Sequence, residues 1–358
     1  MSFSNVKKIL IIFLCLILAV FVIYKFEISS VSNDKTNIEI EVKKGETYLT
    51  LSKRLKEKDL IKSEFFYKIY VKTHKSSDLQ AGVYNLNKSM DIKDILKEIS
   101  KGSNYNPDSI TITLPEGKNM RYIADLIEKN TNNSKEDLYN LLKDQNYLDE
   151  LINTYWFLDD SIKNEKIYYS LEGYLFPDTY EFQNKDVSLK EIIKTMLDQM
   201  GSKLNAYKNE INNSNYSLHQ ILTLASIVEL EGTSSDDRNG VAGVFYNRLK
   251  AKWSLGSDVT TYYAEKVDMD ERELYKKEFD SVNDYNTRSS SMAGKLPISP
   301  ICNPGIESIE AAINPTNHDY YCFVADKNKK TYFTKTAAEH QNIINKLKKE
   351  GLWYEYNN

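Results

Sequence analysis

The chain has 358 residues, of which 41% are hydrophobic and 27% are charged, and its formal net charge at pH 7 is −4. This length is enough for one large domain or for two or three smaller ones with their own cores. The charge balance gives no basic excess of the kind that binds a nucleic-acid backbone. Because no histidine lies in His-Glu-x-x-His spacing and no Cys-x-x-Cys pair occurs, the sequence predicts no zinc site.

The N-terminus contains an uninterrupted apolar run from Ile9 to Tyr24, preceded by Lys7 and Lys8. At 1.5 Å per helical residue the run covers roughly 24 Å, close to the thickness of a bilayer core. No small-x-small cleavage site follows Ala19, which favours an uncleaved anchor over a signal peptide. Lysines before the run place that end in the cytoplasm. We therefore expect residues 1–26 to be a cytoplasmic tip and single-pass cell-membrane anchor, with the rest of the chain extracytoplasmic.

Residues 27–37 are polar and predict a tether, and residues 38–102 predict a small α/β module. Ile38, Ile40 and Val42 alternate with glutamates, which is typical of a strand with one buried face. Two helical stretches, a short strand at 81–84 and an amphipathic helix at 92–99 follow. The strand, glycine turn and helix of 42–55 recur at 114–127 and resemble LysM modules, which bind glycans containing N-acetylglucosamine. A module that only spaces the next domain from the membrane is the alternative.

Residues 101–108 are polar and predict a linker, and residues 109–350 predict one larger domain. Helical patterns dominate up to about residue 252, and an ordered loop region is expected at 280–305. A short helix at 309–313, a hairpin over 320–333 and a closing helix at 337–349 are expected after it. The fold class predicted for the whole chain is α+β: an N-terminal transmembrane helix, a small LysM-like α/β module and a larger mixed helical and β domain.

A buried helix is predicted from Ser217, which forms a capping-box pattern with Gln220, to a terminating Gly232. The helix is apolar on nearly all sides, yet Glu229 and Glu231 stand at its end. Both could emerge at the surface. Alternatively, one faces a cleft with a raised pKa, so that it stays protonated and can donate a proton to a glycosidic oxygen. The two positions lie about 200° apart on a helix, so one cleft admits only one of them. Ala225, one turn earlier, leaves room beside Glu229 and favours it.

Several stretches along the chain are similar to the YceG-like endolytic murein transglycosylases and occur in that family's order. They are Leu171–Tyr180, Leu224–Glu229 with Glu231, Val241–Leu249, Ser257–Thr260, Tyr285–Thr287, Pro297–Gly305 and Tyr321–Ala325 with Phe333, Thr334 and His340. This resemblance covers nearly the whole chain, including the anchor and the LysM-like region.

The resemblance implies an enzyme that cuts nascent peptidoglycan strands between N-acetylmuramic acid and N-acetylglucosamine and leaves 1,6-anhydro ends, without a metal or other cofactor. It implies Glu229 as the acid/base. It suggests substrate contacts for Glu231, Ser257, Asp258, Thr260, Tyr285 and Asn286, although ordering of the loops by Asn and Asp side chains is the alternative for the last five. Its partners would be peptidoglycan glycan strands, cell-wall synthases and the membrane, and not nucleic acid.

Three other functions are alternatives to this one. A non-catalytic, membrane-tethered peptidoglycan-binding scaffold would need only the LysM-like module. A muramidase would hydrolyse the same bond and leave reducing ends. Serine or cysteine hydrolase chemistry has little support, because no Gly-x-Ser-x-Gly motif occurs and no cysteine lies in a nucleophile setting. Cys302 and Cys322 could pair in an exported domain or remain free thiols.

Overall fold

The computed structural model describes residues 3–43, 45–74, 79, 81–100, 108–231 and 235–353. The chain forms two compact units, Met1–Ser109 and Ile110–Asn358. Two predicted features, the terminating Gly232 and the linker over 101–107, lie outside the described residues.

The first unit consists of α1 (Phe3–Ile28), β1 (Ile38–Val42), α2 (Tyr48–Glu57), α3 (Glu64–Thr73), β2 (Gly82–Leu86) and α4 (Ile92–Ser100). Within the described part of the chain, α1 is the one helix long and apolar enough to cross a membrane. It continues to Ile28, beyond the predicted end of the anchor. The predicted strands and helices of the module are confirmed, with β1 and β2 antiparallel and Ile40 opposite Tyr84.

The second unit is mostly helical with two small antiparallel sheets, β3–β4 and β5–β6. Its elements are β3 (Ile110–Thr113), α5 (Met120–Asn130), α6 (Lys135–Leu141), α7 (Gln145–Thr154), β4 (Thr179–Phe182), α8 (Leu189–Leu204), α9 (Lys208–Asn212), α10 (Leu218–Glu231), α11 (Ser235–Lys250), α12 (Asp258–Ala264), α13 (Lys276–Phe279), α14 (Ile306–Ile313), β5 (Cys322–Ala325), β6 (Thr331–Thr334) and α15 (Ala337–Lys349). The mixed α+β class is thus confirmed for the described residues.

Several predictions for this unit are confirmed by the element bounds. The hairpin is β5–β6 with Phe323 opposite Phe333, and the closing helix α15 has the predicted bounds. The repeated strand, glycine turn and helix also forms twice, as β1–α2 and β3–α5, with positive φ at Gly45 (81°) and Gly117 (74°). The pairing of β3 with β4 was not predicted, because nothing local in the sequence links Thr113 to its partner Thr179.

Gly173 fixes the contact between the 171–176 turn and the loop that leads to α14. Its φ is 85°, and a Cβ at this position would lie 2.3 Å from Cβ of Pro300. Its N–H donates to Oδ1 of Asn303 at 3.0 Å. Only glycine fits a left-handed backbone this close to a neighbouring ring.

We predict that Gly173→Ala destabilises the second unit by about 3 kcal/mol or more, because overpacking adds to the cost of a left-handed alanine. Gly351→Ala is the matched control, since Gly351 has φ 72° and nothing within 4 Å of its added Cβ. That variant should lose only about 1 kcal/mol. Urea denaturation measures both, and equal losses would contradict the packing argument.

Candidate active site

The site is built at the C-terminal end of α10, the helix that the sequence predicts to be buried. Its N-terminus has the predicted capping box: the Ser217 N–H donates to the Gln220 side chain at 2.9 Å, and the Gln220 N–H donates to the Ser217 hydroxyl at 3.3 Å. Every residue from Leu218 to Val228 except Gln220 is buried. Because α10 packs against α11, α12 and α14, its last turn brings two glutamates to the boundary of the core.

Glu229 is held from two sides. Its Oε2 accepts a hydrogen bond from the Gly305 N–H at 3.0 Å, and its Oε1 lies 3.5 Å from Nη2 of Arg238. The side chain is only 8% exposed, so the alternative in which both glutamates emerge into solvent does not hold for this one. A buried carboxylate at the negative end of a helix needs compensation, and the N–H group and the guanidinium supply it.

Asn303 brings the neighbouring loops together around Glu229. Its backbone exchanges hydrogen bonds with the turn after β3: the Asn303 N–H donates to the Lys118 carbonyl at 2.9 Å, and the Gly117 N–H donates to the Asn303 carbonyl at 3.0 Å. Its side-chain oxygen accepts the N–H groups of Gly173 and Leu175, both at 3.0 Å. The turn that carries Gly117 and the loop that carries Gly305 are thereby fixed on the same side of α10.

Glu172 supports this arrangement from inside the core and is 1% exposed. Its Oε2 accepts the Met120 N–H at 3.0 Å and the Tyr263 hydroxyl at 2.9 Å, and its Oε1 accepts the Asn303 amide at 3.2 Å. Burial raises the pKa of Glu172 to about 7, although these three hydrogen bonds act to lower it. The sequence analysis did not single out this buried acid.

Glu231 points to a different place from Glu229. The Ser257 hydroxyl donates to its Oε1 at 2.6 Å. Burial raises the pKa of Glu231, and the charge of Asp258 adds to that rise, while the Ser257 hydrogen bond opposes it. Glu231, Ser257 and Asp258 line a cavity of about 670 Å³ together with Arg248 and His340.

A second cavity, of about 290 Å³, lies near Glu229, although Glu229 does not itself line it. Gly117 lines it, and a Cβ on Gly117 would lie 3.6 Å from Cγ of Glu229. The two cavities share four lining residues: Leu230, Val259, Tyr262 and Met269. They are therefore adjacent, and the two together are called here the groove across the end of α10.

The predicted substrate-binding residues of the 257–260 stretch are divided between the groove and the interior. Asp258, at the start of α12, is half exposed and forms an ion pair with Arg288. Ser257 is buried except where it meets the cavity. Thr260 is fully buried, with its hydroxyl donating to the Ser257 carbonyl at 2.7 Å and lying 2.8 Å from that of Thr287.

Tyr285 and Asn286 are buried and hydrogen-bonded inside the protein. The Tyr285 hydroxyl accepts the Tyr168 N–H at 3.0 Å. The Asn286 amide donates to the carbonyls of Phe279 and Ser281 at 3.0 and 2.7 Å. These bonds order the loop, which is the alternative role considered for this stretch; substrate contact by either side chain stays a prediction.

The structure brings three charged residues to the site that the sequence analysis did not select: Glu116, Glu172 and Arg238. Glu116 follows Pro115 in the repeated glycine turn, so it was interpreted only as part of a turn. Arg238 lies early in α11, before the 241–249 stretch. The signals available in the sequence were a charged residue next to a turn glycine and a charged residue in the helix after α10. Sequence spacing does not show that these residues lie close together in the fold.

The two late cysteines are free thiols. Cys302 is buried, and its Sγ lies 3.3 Å from the Ser226 carbonyl, while Cys322 is partly buried in β5. Burial raises the pKa of the Cys302 thiol well above its usual range. The predicted alternative of a Cys302–Cys322 pair is therefore not what the structure contains.

Comparison with known proteins identifies the group to which the chain is related. The model of the YceG-like family matches residues 40–346. The chain belongs to the YceG-like family. The endolytic murein transglycosylase of Bacillus subtilis strain 168 is 39% identical over 310 residues, covering 86% of this chain and 84% of that protein.

Two more distant family members match most of this chain. The endolytic murein transglycosylase of Streptococcus pneumoniae D39 is 31% identical over 329 residues, covering 87% of this chain and 59% of that protein. The 2.6 Å crystal structure of a yceG-like protein from Listeria monocytogenes superposes with a TM-score of 0.60 at 32% identity, covering 87% of this chain and all of that one. The fold of this YceG-like chain is thus shared with a solved structure.

The buried Glu172 predicts a pH dependence of stability. Its pKa is raised from the ordinary 4.5 to about 7 in the folded protein, so the folded state binds the proton more tightly. Its contribution is complete below about pH 4.5 and is lost as pH rises towards 7, by about 1–3 kcal/mol. Urea midpoints should therefore fall from pH 5 to 7 more steeply for the wild type than for Glu172→Gln. Parallel curves would contradict this assignment.

Proposed function

We propose that the chain is a membrane-anchored endolytic peptidoglycan lytic transglycosylase with Glu229 as its single acid/base. The observation that carries the proposal is the fixed position of Glu229, which is held by the Gly305 N–H and Arg238 and lies next to Gly117, a residue that lines the groove. Curated relatives named endolytic murein transglycosylase align over most of the chain and support the reaction class.

The reaction requires one carboxyl group that acts twice. Protonated Glu229 donates to the oxygen between N-acetylmuramic acid and N-acetylglucosamine as the bond from that oxygen to C1 of the muramyl sugar breaks. The muramyl C6 hydroxyl then closes on C1, and its proton passes to the Glu229 carboxylate. The product carries a 1,6-anhydro end, the acid is restored, and no water is consumed.

The contacts of Glu229 suit the half of this cycle in which it is a carboxylate. The Gly305 N–H donates a hydrogen bond to Oε2, and Arg238 faces Oε1. Together the two contacts fix the orientation of the carboxyl group. When the proton has left, the guanidinium lies 3.5 Å from Oε1 and stabilises the negative charge. These groups are already in place before the substrate binds, so little reorganisation is needed at the transition state.

The groove across the end of α10 is the proposed seat of the glycan strand. Tyr122 and Tyr262 line it and offer apolar ring faces to sugars, while Asp258 and Arg288 offer polar contacts. We include Glu231, Ser257 and Asp258 among the substrate contacts because all three line the larger cavity. Thr260, Tyr285 and Asn286 would act by holding these loops in place.

The first unit supports a role at the membrane surface. Its apolar α1 would anchor the protein with the N-terminus in the cytoplasm and the second unit outside. Tethering raises the local concentration of the enzyme where synthases extrude new strands. The β1–glycine turn–α2 unit would bind N-acetylglucosamine in the manner of LysM modules, and a spacer role is its alternative.

A second assignment is favoured by one observation. Glu231 lines the larger cavity and has a raised pKa, so it could serve as the acid in place of Glu229. Its Oε1 is, however, already bonded to the Ser257 hydroxyl, and within the described residues Arg248 acts on its charge without forming an ion pair like that of Arg238 with Glu229. We therefore assign the acid/base role to Glu229.

We predict that Glu229→Gln lowers cleavage of purified glycan strands by at least about 100-fold, because the amide keeps the size of the side chain but cannot donate an acid proton. Glu231→Gln is the matched control on the same helix and should retain activity within about 10-fold. The full-length protein in detergent is assayed in both cases, and circular dichroism checks the fold.

Mass spectrometry of the products separates the alternatives. Anhydro ends support the lytic reaction, whereas reducing ends would identify a muramidase. Activity that survives Glu229→Gln but is lost in Glu231→Gln would transfer the acid role to Glu231. A wild-type protein that binds strands without cutting them would leave only the tethered scaffold.

A further inference from the structure

We propose that one face of α3 lies in the headgroup layer of the membrane beside the end of α1, with the ring of Phe65 inserted between lipids and lysines facing anionic headgroups. This face consists of Phe65, Lys68, Ile69 and Lys72 and is called the α3 face. Its partner is a lipid surface that contains anionic lipids. The inference rests on the membrane anchor of the proposed function, and the experiment separates the failure of the anchor from the failure of the contact.

Direct contacts join the start of α3 to the end of α1. The Lys62 Nζ donates to the Phe26 carbonyl at 3.1 Å and to the Ser29 hydroxyl at 2.8 Å, and it lies 3.9 Å from the centre of the Phe26 ring. A cation is favourable at the negative C-terminal end of a helix. The ring of Phe66 also meets that of Tyr24 edge-on, with ring centres 6.1 Å apart. The position of α3 is thus fixed relative to the last turns of α1.

These contacts set the depth of α3 relative to the membrane. Tyr24 belongs to the apolar stretch Ile11–Ile28 and precedes its outer end by about 6 Å, at 1.5 Å per residue. Since the headgroup layer on each side of a bilayer is about 5–8 Å thick, Tyr24 lies close to the boundary between acyl chains and headgroups. Phe66 contacts Tyr24, and Phe65 packs edge-on against Phe66 with ring centres 5.3 Å apart. Phe65 is therefore close to the same boundary.

The α3 face lies on the side of the helix that the core of the first unit does not use. The core takes Tyr67 and Tyr70 from α3, and these two positions lie about 140–200° around the helix from Phe65. Phe65 is 67% exposed, and Ile69, one turn later on the same side, is half-buried. Replacing Phe65 by another aromatic residue should therefore leave the core of the unit intact.

The charges of the α3 face suit an anionic surface. Residues 62–72 contain three lysines and one acid, Glu64, so their net charge is +2 in a chain whose net charge is −4. Glu64 is paired with Lys68 at 3.0 Å, and Lys72 is exposed. An exposed aromatic ring on a helix that also carries lysines is typical of a helix that lies in the headgroup layer. Lysines near such a surface add attraction to anionic lipids.

The test places the photoreactive residue benzoylphenylalanine at one position at a time in the full-length protein, in vesicles of phosphatidylcholine and phosphatidylglycerol. After irradiation, mass spectrometry should find lipid adducts at position 65. The matched control is Tyr275, an aromatic residue of the second unit that is 60% exposed, and it should give no lipid adducts above background. Phe21 of α1, which is 56% exposed, reports on the anchor and should also react with lipid.

The lysines are tested with the probe at position 65. Its adducts should be enriched in phosphatidylglycerol relative to the composition of the vesicles, and Lys72→Gln should lower this enrichment by up to about fivefold. Lys97→Gln removes an exposed lysine of α4 and should leave the enrichment unchanged. An equal fall in both variants would overturn the assignment of Lys72 to the lipid surface.

Lipid adducts at position 21 without adducts at position 65 would overturn the inference and leave the anchor in place. Crosslinks from position 65 to a second copy of the chain instead of to lipid would also overturn it, because the face would then be an interface between copies. Lipid adducts at position 275 as frequent as those at position 65 would show no specific contact. The absence of lipid adducts at position 21 would refute the membrane anchor itself, and the inference with it.

Discussion

The site depends on the compensation of one buried carboxyl group at the end of a core helix. Burial of Glu229 at the negative end of α10 costs free energy unless donors and a cation face it, and the Gly305 N–H and Arg238 do so. The Gly305 N–H belongs to the loop before α14, and Arg238 belongs to α11. Both segments pack on α10. The packing of these segments on α10 thus sets the surroundings of the proposed acid.

Hydrogen bonds of Asn303 and Glu172 connect the surroundings of Glu229 to the interior of the second unit. Asn303 fixes the turns at 117–118 and 173–175 against each other, and Glu172 holds the Asn303 amide and the first turn of α5. Burying Glu172 costs free energy, and this free energy is part of what a rigid site requires. A strand-cutting enzyme benefits from this rigidity, since the acid must already be oriented when the glycosidic oxygen arrives.

Local patterns predicted much of the fold. The capping box at Ser217, the β5–β6 hairpin and α15 follow from short-range chemistry and periodicity, and all three form as expected. The pairing of β3 with β4 and the position of Glu116 were not predictable, because both depend on contacts between segments far apart in the chain. Glu229 could be selected from its helix and from family resemblance, but its partner Arg238 could not, since no spacing rule places a guanidinium beside it.

The most direct measurement of the central claim is a crystal structure of the Glu229→Gln variant with a bound glycan oligomer. We predict that the side chain of residue 229 lies within about 3 Å of the oxygen joining a muramyl sugar to its neighbour, with the strand passing along the groove over Leu230. A strand seated with that oxygen against Glu231, or bound away from the end of α10, would contradict it.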